Sequence, residues 1–147
     1  MRNQSVCLAA ALVAVAFCWP AQAAPHAVLN CSTILQQGAM NTCFSQEWKN
    51  ADDELNRKYQ ELVARLKAQK TRPEAFTLLR DSERAWIAYR DTQCQFETYQ
   101  SQGGSAHEGA MSMCMTKMTN QRIVLLDAQL ECNAGDLTCS MPKPSVQ

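Results

Sequence analysis

The chain has little of what a catalytic or nucleic-acid-binding protein works with. Its only histidines are His26 and His107, and no Cys-x-x-Cys pair occurs, so metal centres and dithiol redox chemistry lack their usual ligands. There is no Gly-rich phosphate loop and no serine-nucleophile motif, which leaves nucleotide and acyl-transfer chemistry without a foothold. Charge of one sign is missing too, since 14 Lys+Arg stand against 14 Asp+Glu. With no interleaving of basic and aromatic residues, that balance argues against a nucleic-acid or anionic-membrane surface. Apolar and polar residues nowhere alternate over a strand-length run. No cofactor or metal is expected.

What is present begins with an export signal. Arg2 supplies the charged start, Val6 to Trp19 an uncharged apolar run, and Ala21-Gln22-Ala23 the small residues of a cleavage site. The run falls short of the roughly 20 residues a membrane span needs. Cleavage is expected after Ala23, with Ala24 as the alternative. Phe17 precedes Cys18 where a lipoprotein anchor wants a small residue, so the mature chain is expected to be periplasmic or secreted and untethered. Of eight cysteines, Cys7 and Cys18 leave with the signal, while Cys31, Cys43, Cys94, Cys114, Cys132 and Cys139 remain. An even number in an exported chain reads as three disulfides, with 15 connectivities open.

The mature chain divides into a lead-in over 24–30, a helical domain over 31–132, and a turn and tail over 133–147. A short helix is expected from Ser32 to Met40. The first long helix follows from about Ser45 to Gln69, with Trp48, Asp52, Leu55, Tyr59, Leu62 and Leu66 at 4-3-4-3-4 spacing. The second runs from Pro73, suited to a helix start, to about Gln100. Its inner stripe is Phe76, Leu79, Glu83, Trp86, Arg90 and Cys94. Gly103-Gly104-Ser105 breaks it, and Ser105 is placed to cap a third helix ending near Cys132. That helix carries Met111, Cys114, Met118, Arg122, Leu125 and Gln129 on one face, with Leu126 and Leu130 beside it. The fold class is all-α: a small disulfide-stapled bundle of three long helices, successive neighbours antiparallel, with a short helix in front.

The centre of this arrangement is Trp86-Ile87-Ala88-Tyr89-Arg90-Asp91-Thr92-Gln93-Cys94. Here an aromatic, a cation and a thiol share one face at i, i+4 and i+8. A guanidinium among core residues needs a carboxylate. Asp52 lies at the matching height on the first helix, with Asn56 and Tyr59 placed to add hydrogen bonds, and Arg122 projects from a second inward stripe. The network of Asp52, Asn56, Tyr59, Trp86, Arg90 and Arg122 reads as a device fixing helix register. Cys94 and Cys114 both lie roughly 9–14 Å from the connecting loop, making them the first pair expected. Cys132–Cys139 could close a turn around Gly135, leaving Cys31–Cys43 by elimination. The methionines at 111, 113, 115 and 118 read as core packing before a soft-metal site. Glu83 resembles a buried general acid, but no second carboxylate stands at a glycosidase separation from it.

These residues resemble a known family. Cys31, Met40-Asn41-Thr42-Cys43 and Ala51-Asp52-Asp53-Glu54-Leu55-Asn56 with Tyr59 are similar to the first half of the LprI-like lysozyme inhibitor domain. Trp86-Ile87-Ala88-Tyr89-Arg90-Asp91 with Cys94, Gly103-Gly104-Ser105, Cys114, and Thr119 to Arg122 with Leu125 resemble its second half. Two departures stand out: Glu83 replaces the family's usual Gln, and Cys132 and Cys139 add to its usual four cysteines. The resemblance implies an exported, non-enzymatic protein whose partner is lysozyme, a cell-wall muramidase, blocked by occlusion of its cleft. The exposed loop of Gln102, Gly103, Gly104, Ser105 and His107 is the candidate inserting element. The alternative is a periplasmic immunity or envelope-stress protein that binds another hydrolase or toxin.

Overall fold

The computed structural model describes residues 30–68, 73–133 and 135–140. The expected export segment, the lead-in through residue 29 and the tail over 141–147 lie outside the described residues. Three long helices form: α1 (Gln37–Ala68), α2 (Pro73–Glu97) and α3 (His107–Glu131). Single 3-10 turns cover Cys31–Thr33 and Tyr99–Ser101. No strand occurs among the described residues.

Pairings along the helices set their directions. Asp52 of α1 meets Arg90 of α2, Glu83 of α2 meets Arg122 of α3, and Cys94 is bonded to Cys114. Asn41 at the start of α1 bonds Ser105 just before α3, and Arg65 near its end bonds Leu130 near the end of α3. Thus α1 and α3 run parallel, with α2 antiparallel to both. Arg65 Nη1 donates to the Leu130 carbonyl at 2.7 Å, satisfying an acceptor that the end of α3 leaves open. Lys58 Nζ reaches Asp127 of α3 at 2.5 Å, closer to the middle of the bundle.

Leu55, Leu62 and Leu66 of α1 pack against Leu126 and Leu130 of α3, with Phe76, Leu79 and Trp86 of α2 closing the side. Burying each leucine contributes about 1.5–3 kcal/mol. Toward the loop end, sulfur takes over. Cys94, Cys114 and Met118 are buried, with Met111 and Met115 packed around them, while Met113 is exposed. Among the described residues of α2, the buried side chains are Glu83, Arg90 and Cys94. This helix is therefore held by ion pairs and a disulfide more than by aliphatic packing.

Several boundaries differ from the sequence reading. The short front helix over Ser32–Met40 is a single 3-10 turn, and α1 starts at Gln37 instead of Ser45. No proline stands between Gln37 and Ser45 to stop the helix from extending back, and the Cys31–Cys43 disulfide folds the preceding segment onto α1. The second helix ends at Glu97, where Thr98 turns its hydroxyl onto the Cys94 carbonyl at 2.7 Å and a 3-10 turn follows. Ser105 does not cap α3. The cap position is Ala106, without a side-chain bond, while the Ser105 carbonyl is taken by Asn41. On α3 the inward stripe holds at Cys114 and Met118 but spreads onto a second side. Ser112, Thr119, Leu126 and Leu130 are buried, and Leu125 is exposed because this helix faces two neighbours rather than one.

Candidate functional site

The polar centre is built around Trp86, whose ring has two guanidiniums close to it. Arg90 Cζ is 5.1 Å from its centroid and Arg122 Cζ 5.8 Å. Arg90, buried, donates from Nη1 to Asp52 at 3.1 Å and to the fully buried Thr119 hydroxyl at 3.4 Å. Its Nε donates to Asp91 at 2.9 Å. Asn56 Nδ2 steadies the other oxygen of Asp52 at 3.3 Å. Tyr59 packs against the leucine cluster instead of joining these bonds.

Arg122 finds its carboxylate on α2. Its Nε and Nη2 donate to Glu83 Oε2 at 3.0 and 2.8 Å, and Nη2 also reaches Ser82 Oγ at 3.0 Å. The second oxygen, Glu83 Oε1, is buried with no hydrogen-bond partner among the described residues. Glu83 and Arg90 line a groove of about 450 Å³ between α1 and α2, whereas Arg122 lines a different one, of about 460 Å³, between α2 and α3. The two arginines thus face separate surfaces and do not converge on one pocket. Such a set can fix how three helices rotate and slide against each other. Among the described residues, no group of three or more His, Cys, Asp or Glu is arranged to hold a metal ion.

The second feature is the connection from α2 to α3. The Cys94–Cys114 disulfide, with Cα atoms 5.6 Å apart, closes its base. Above it, Ser101 Oγ bonds the Thr98 carbonyl at 2.7 Å and meets His107 Nδ1 at 3.0 Å. The Gly104 amide reaches the Ser101 carbonyl at 2.9 Å, a turn for which Gly103 adopts φ +80°. Asn41 Nδ2 ties the Ser105 carbonyl to α1 at 2.8 Å, and Gln37 holds the Asn41 oxygen at 2.8 Å. Gln102, Gly103, Gly104 and Ser105 remain exposed and His107 is half-buried.

Gly109 was not singled out from the sequence, yet it sets this geometry. It is buried where α3 crosses α1, and a Cβ there would lie 2.6 Å from Asn41 Oδ1. A side chain at this position would displace the Asn41 amide from the place where it reaches the loop. A glycine one turn into a helix was the available signal.

The remaining disulfides are Cys31–Cys43 and Cys132–Cys139. The latter closes a turn with Gly135 at φ +101°, in which Asp136 Oδ1 accepts from the Thr138 amide at 2.8 Å and hydroxyl at 2.7 Å. Those two bonds, the hydroxyl's first, hold the Asp136 carboxyl below its ordinary pKa. No helix among the described residues is long and apolar enough to cross a membrane.

Comparison with known proteins matches this sequence to a family. An uncharacterized protein of Rhizobium meliloti (strain 1021) is 32% identical over 112 residues, covering 69% of this chain and 79% of its own length. Uncharacterized protein YecT of Escherichia coli (strain K12) is 32% identical over 107 residues, covering 66% of this chain and 65% of its own. No solved structure matches. The profile of the family named lysozyme inhibitor LprI matches residues 30–126, which takes in α1, α2, the loop, α3 as far as Leu126 and two of the disulfides. The chain belongs to the lysozyme inhibitor LprI family.

Proposed function

We propose that this protein is exported, binds a lysozyme and inhibits it without turnover by laying the loop from Gln102 to His107 into the substrate cleft. Family membership supports the target. The loop's construction supports the mechanism and is the observation that carries it. A loop already fixed by a disulfide, the Asn41–Ser105 bond and the Ser101–His107 contact has little ordering entropy left to lose on binding. Its chemistry also suits the site. Glycoside hydrolases of this kind work with a pair of carboxylates, and the segment from Tyr99 to Ala106 carries no charge that would be repelled there.

The test is hydrolysis of cell-wall substrate by a panel of lysozymes in the presence of the oxidised protein. Inhibition that saturates at a one-to-one ratio is expected. Gly103→Val, which cannot easily hold a positive φ, should weaken inhibition while helix content stays unchanged. Absence of both inhibition and binding at micromolar concentration would refute the proposal. N-terminal sequencing of the exported form should find it starting after Ala23.

A further inference from the structure

Beside the loop, α1 and α3 enclose a groove of about 580 Å³. Gly38, Ser45 and Lys49 line it from α1, and His107, Glu108 and Ser112 from α3. From Gly38 to Lys49 it runs about 16 Å along the helix. Ser112 is only 8% exposed, yet its Oγ makes no hydrogen bond among the described residues. Buried side-chain polar groups are nearly always bonded, so this hydroxyl is a cost that the free protein carries and a complex can relieve. The Ser45 hydroxyl, half-buried, is unbonded too. Lys49 and Glu108, both exposed, have no ion partner among the described residues. Ser101 Oγ gives its proton to the Thr98 carbonyl and so accepts from His107 Nδ1–H, which leaves Nε2 as an acceptor.

We propose that this groove is a second contact with the lysozyme whose cleft receives the loop, and that it takes a polar segment of the enzyme's cleft rim. The inference rests on the proposed function and extends it. Size sets the first argument. A specific interface draws on roughly 20–30 residues from each side, and the loop from Gln102 to His107 supplies six. A bound enzyme must therefore cover ground beyond the loop. The groove is contiguous with it: His107 belongs to both, and Asn41 lines the groove while holding the Ser105 carbonyl.

Chemistry sets the second. Hydroxyls that donate and accept, an imidazole acceptor and one charge of each sign suit main-chain N–H and C=O groups and polar side chains, not an apolar peptide. Lys49 is the group for a carboxylate on the rim, and Glu108 the group for a cation. A helical side chain leans toward the N-terminal end of its helix, which for α1 is the loop end, so the Lys49 stem leans toward the loop. Bonds made to Ser45 and Ser112 displace none within the protein, since neither hydroxyl has one to give up. The loop fills the cleft, and the groove holds the enzyme's edge.

Binding kinetics of the oxidised protein with the lysozyme that it inhibits best test this. Ser112→Ala should weaken affinity about 5–10-fold while Tm stays unchanged or rises, because the fold loses no bond and alanine favours the helix. Lys49→Ala should weaken it about fivefold, mostly through slower association, with the difference shrinking at high salt. A Cβ at Gly38 meets no atom within 4 Å, so Gly38→Phe should keep the circular dichroism spectrum and, by obstructing the groove, weaken affinity about tenfold or more. Wild-type affinity in Ser112→Ala or in Gly38→Phe overturns the contact, and if Gly103→Val still weakens inhibition, the proposed function stands without it. Inhibition that the groove variants weaken and Gly103→Val does not would uphold the groove and refute loop insertion. A wild-type chain that binds no lysozyme overturns both.

Discussion

Replacing Arg122 by Ala should be among the most destabilising single changes in this domain. Arg122 is the cation that Glu83 contacts, both side chains are nearly out of solvent, and both arginine bonds go to Oε2. Glu83 Oε1 already lacks a partner, so removing Arg122 leaves a buried carboxylate with neither oxygen bonded. Stranding one member of a buried pair costs about 3–5 kcal/mol. Loss of the guanidinium against Trp86 adds to this. For a domain of this size, that corresponds to a fall in Tm of roughly 10–20 °C.

The comparison with Asp52→Ala makes the reasoning testable. Asp52 is partly solvated, and removing it leaves Arg90 with Asp91 and Thr119, so about 1–2 kcal/mol is expected. Glu83→Gln, which keeps a neutral acceptor for Arg122, should fall between the two. Replacing both members, Glu83→Leu with Arg122→Met, should recover most of the loss, because a buried pair contributes little net stability. Urea unfolding followed by circular dichroism, with disulfides intact, gives all four values. An Arg122→Ala variant within about 1 kcal/mol of wild type, or a double variant worse than Arg122→Ala alone, would show that the pair is not buried as described.

Cys94→Ser combined with Cys114→Ser should cost about 3 kcal/mol and raise amide exchange over residues 98–106 before it raises exchange in α1, as mass spectrometry would resolve. Exchange rising equally everywhere would contradict this. Gly109→Ala should push the Asn41 amide off the Ser105 carbonyl with little net change in stability, because the roughly 1 kcal/mol gained in helix propensity offsets about 1 kcal/mol for the lost bond, and should weaken inhibition at unchanged helix content; an inhibitor as strong as wild type would count against the loop's anchoring. Asp136 should titrate below the ordinary aspartate value in an NMR pH series, and Thr138→Val should move its midpoint up. Because the folded pKa is lowered, the stability these bonds contribute is present above the unfolded aspartate pKa and lost as pH falls through the folded one.

Much of the bundle is legible in the sequence because helix geometry is rigid. At a fixed rise per residue and alternating direction, Asp52 comes level with Arg90, and Cys94 with Cys114. Rotation is less legible. An α-helix drifts by about 20° per heptad against a strict repeat, so Leu125 and Leu126 are hard to tell apart from spacing, and the face that brings Arg122 to Glu83 is equally hidden. The start of α1 is less legible because Gly38, Asn41 and Thr42 are weak helix formers, yet the helix continues back through residues held by Cys31–Cys43. The Asn41–Ser105 bond leaves no trace in sequence, since its acceptor is a main-chain carbonyl. Tyr89, Phe96 and Tyr99 stand at a helical spacing that a core stripe would share, and only their exposure separates the two.

The two ends of the bundle are stabilised by different means, and this bears on how the protein acts. Leucines of α1 and α3 fill the end that carries Leu66 and Leu130. Burial there is cooperative and indifferent to the surface. The loop end has a disulfide, three methionines and side-chain bonds to main-chain carbonyls. Such contacts contribute less to global stability than aliphatic burial does, yet they fix position more sharply, because hydrogen bonds and disulfides are directional. A protein that acts by presenting a shape needs that precision at one end only. The guanidinium–tryptophan layer lies between the two ends and couples them. By fixing the register of α2 against both neighbours, it transmits the rigidity of the leucine end to the loop that α2 carries.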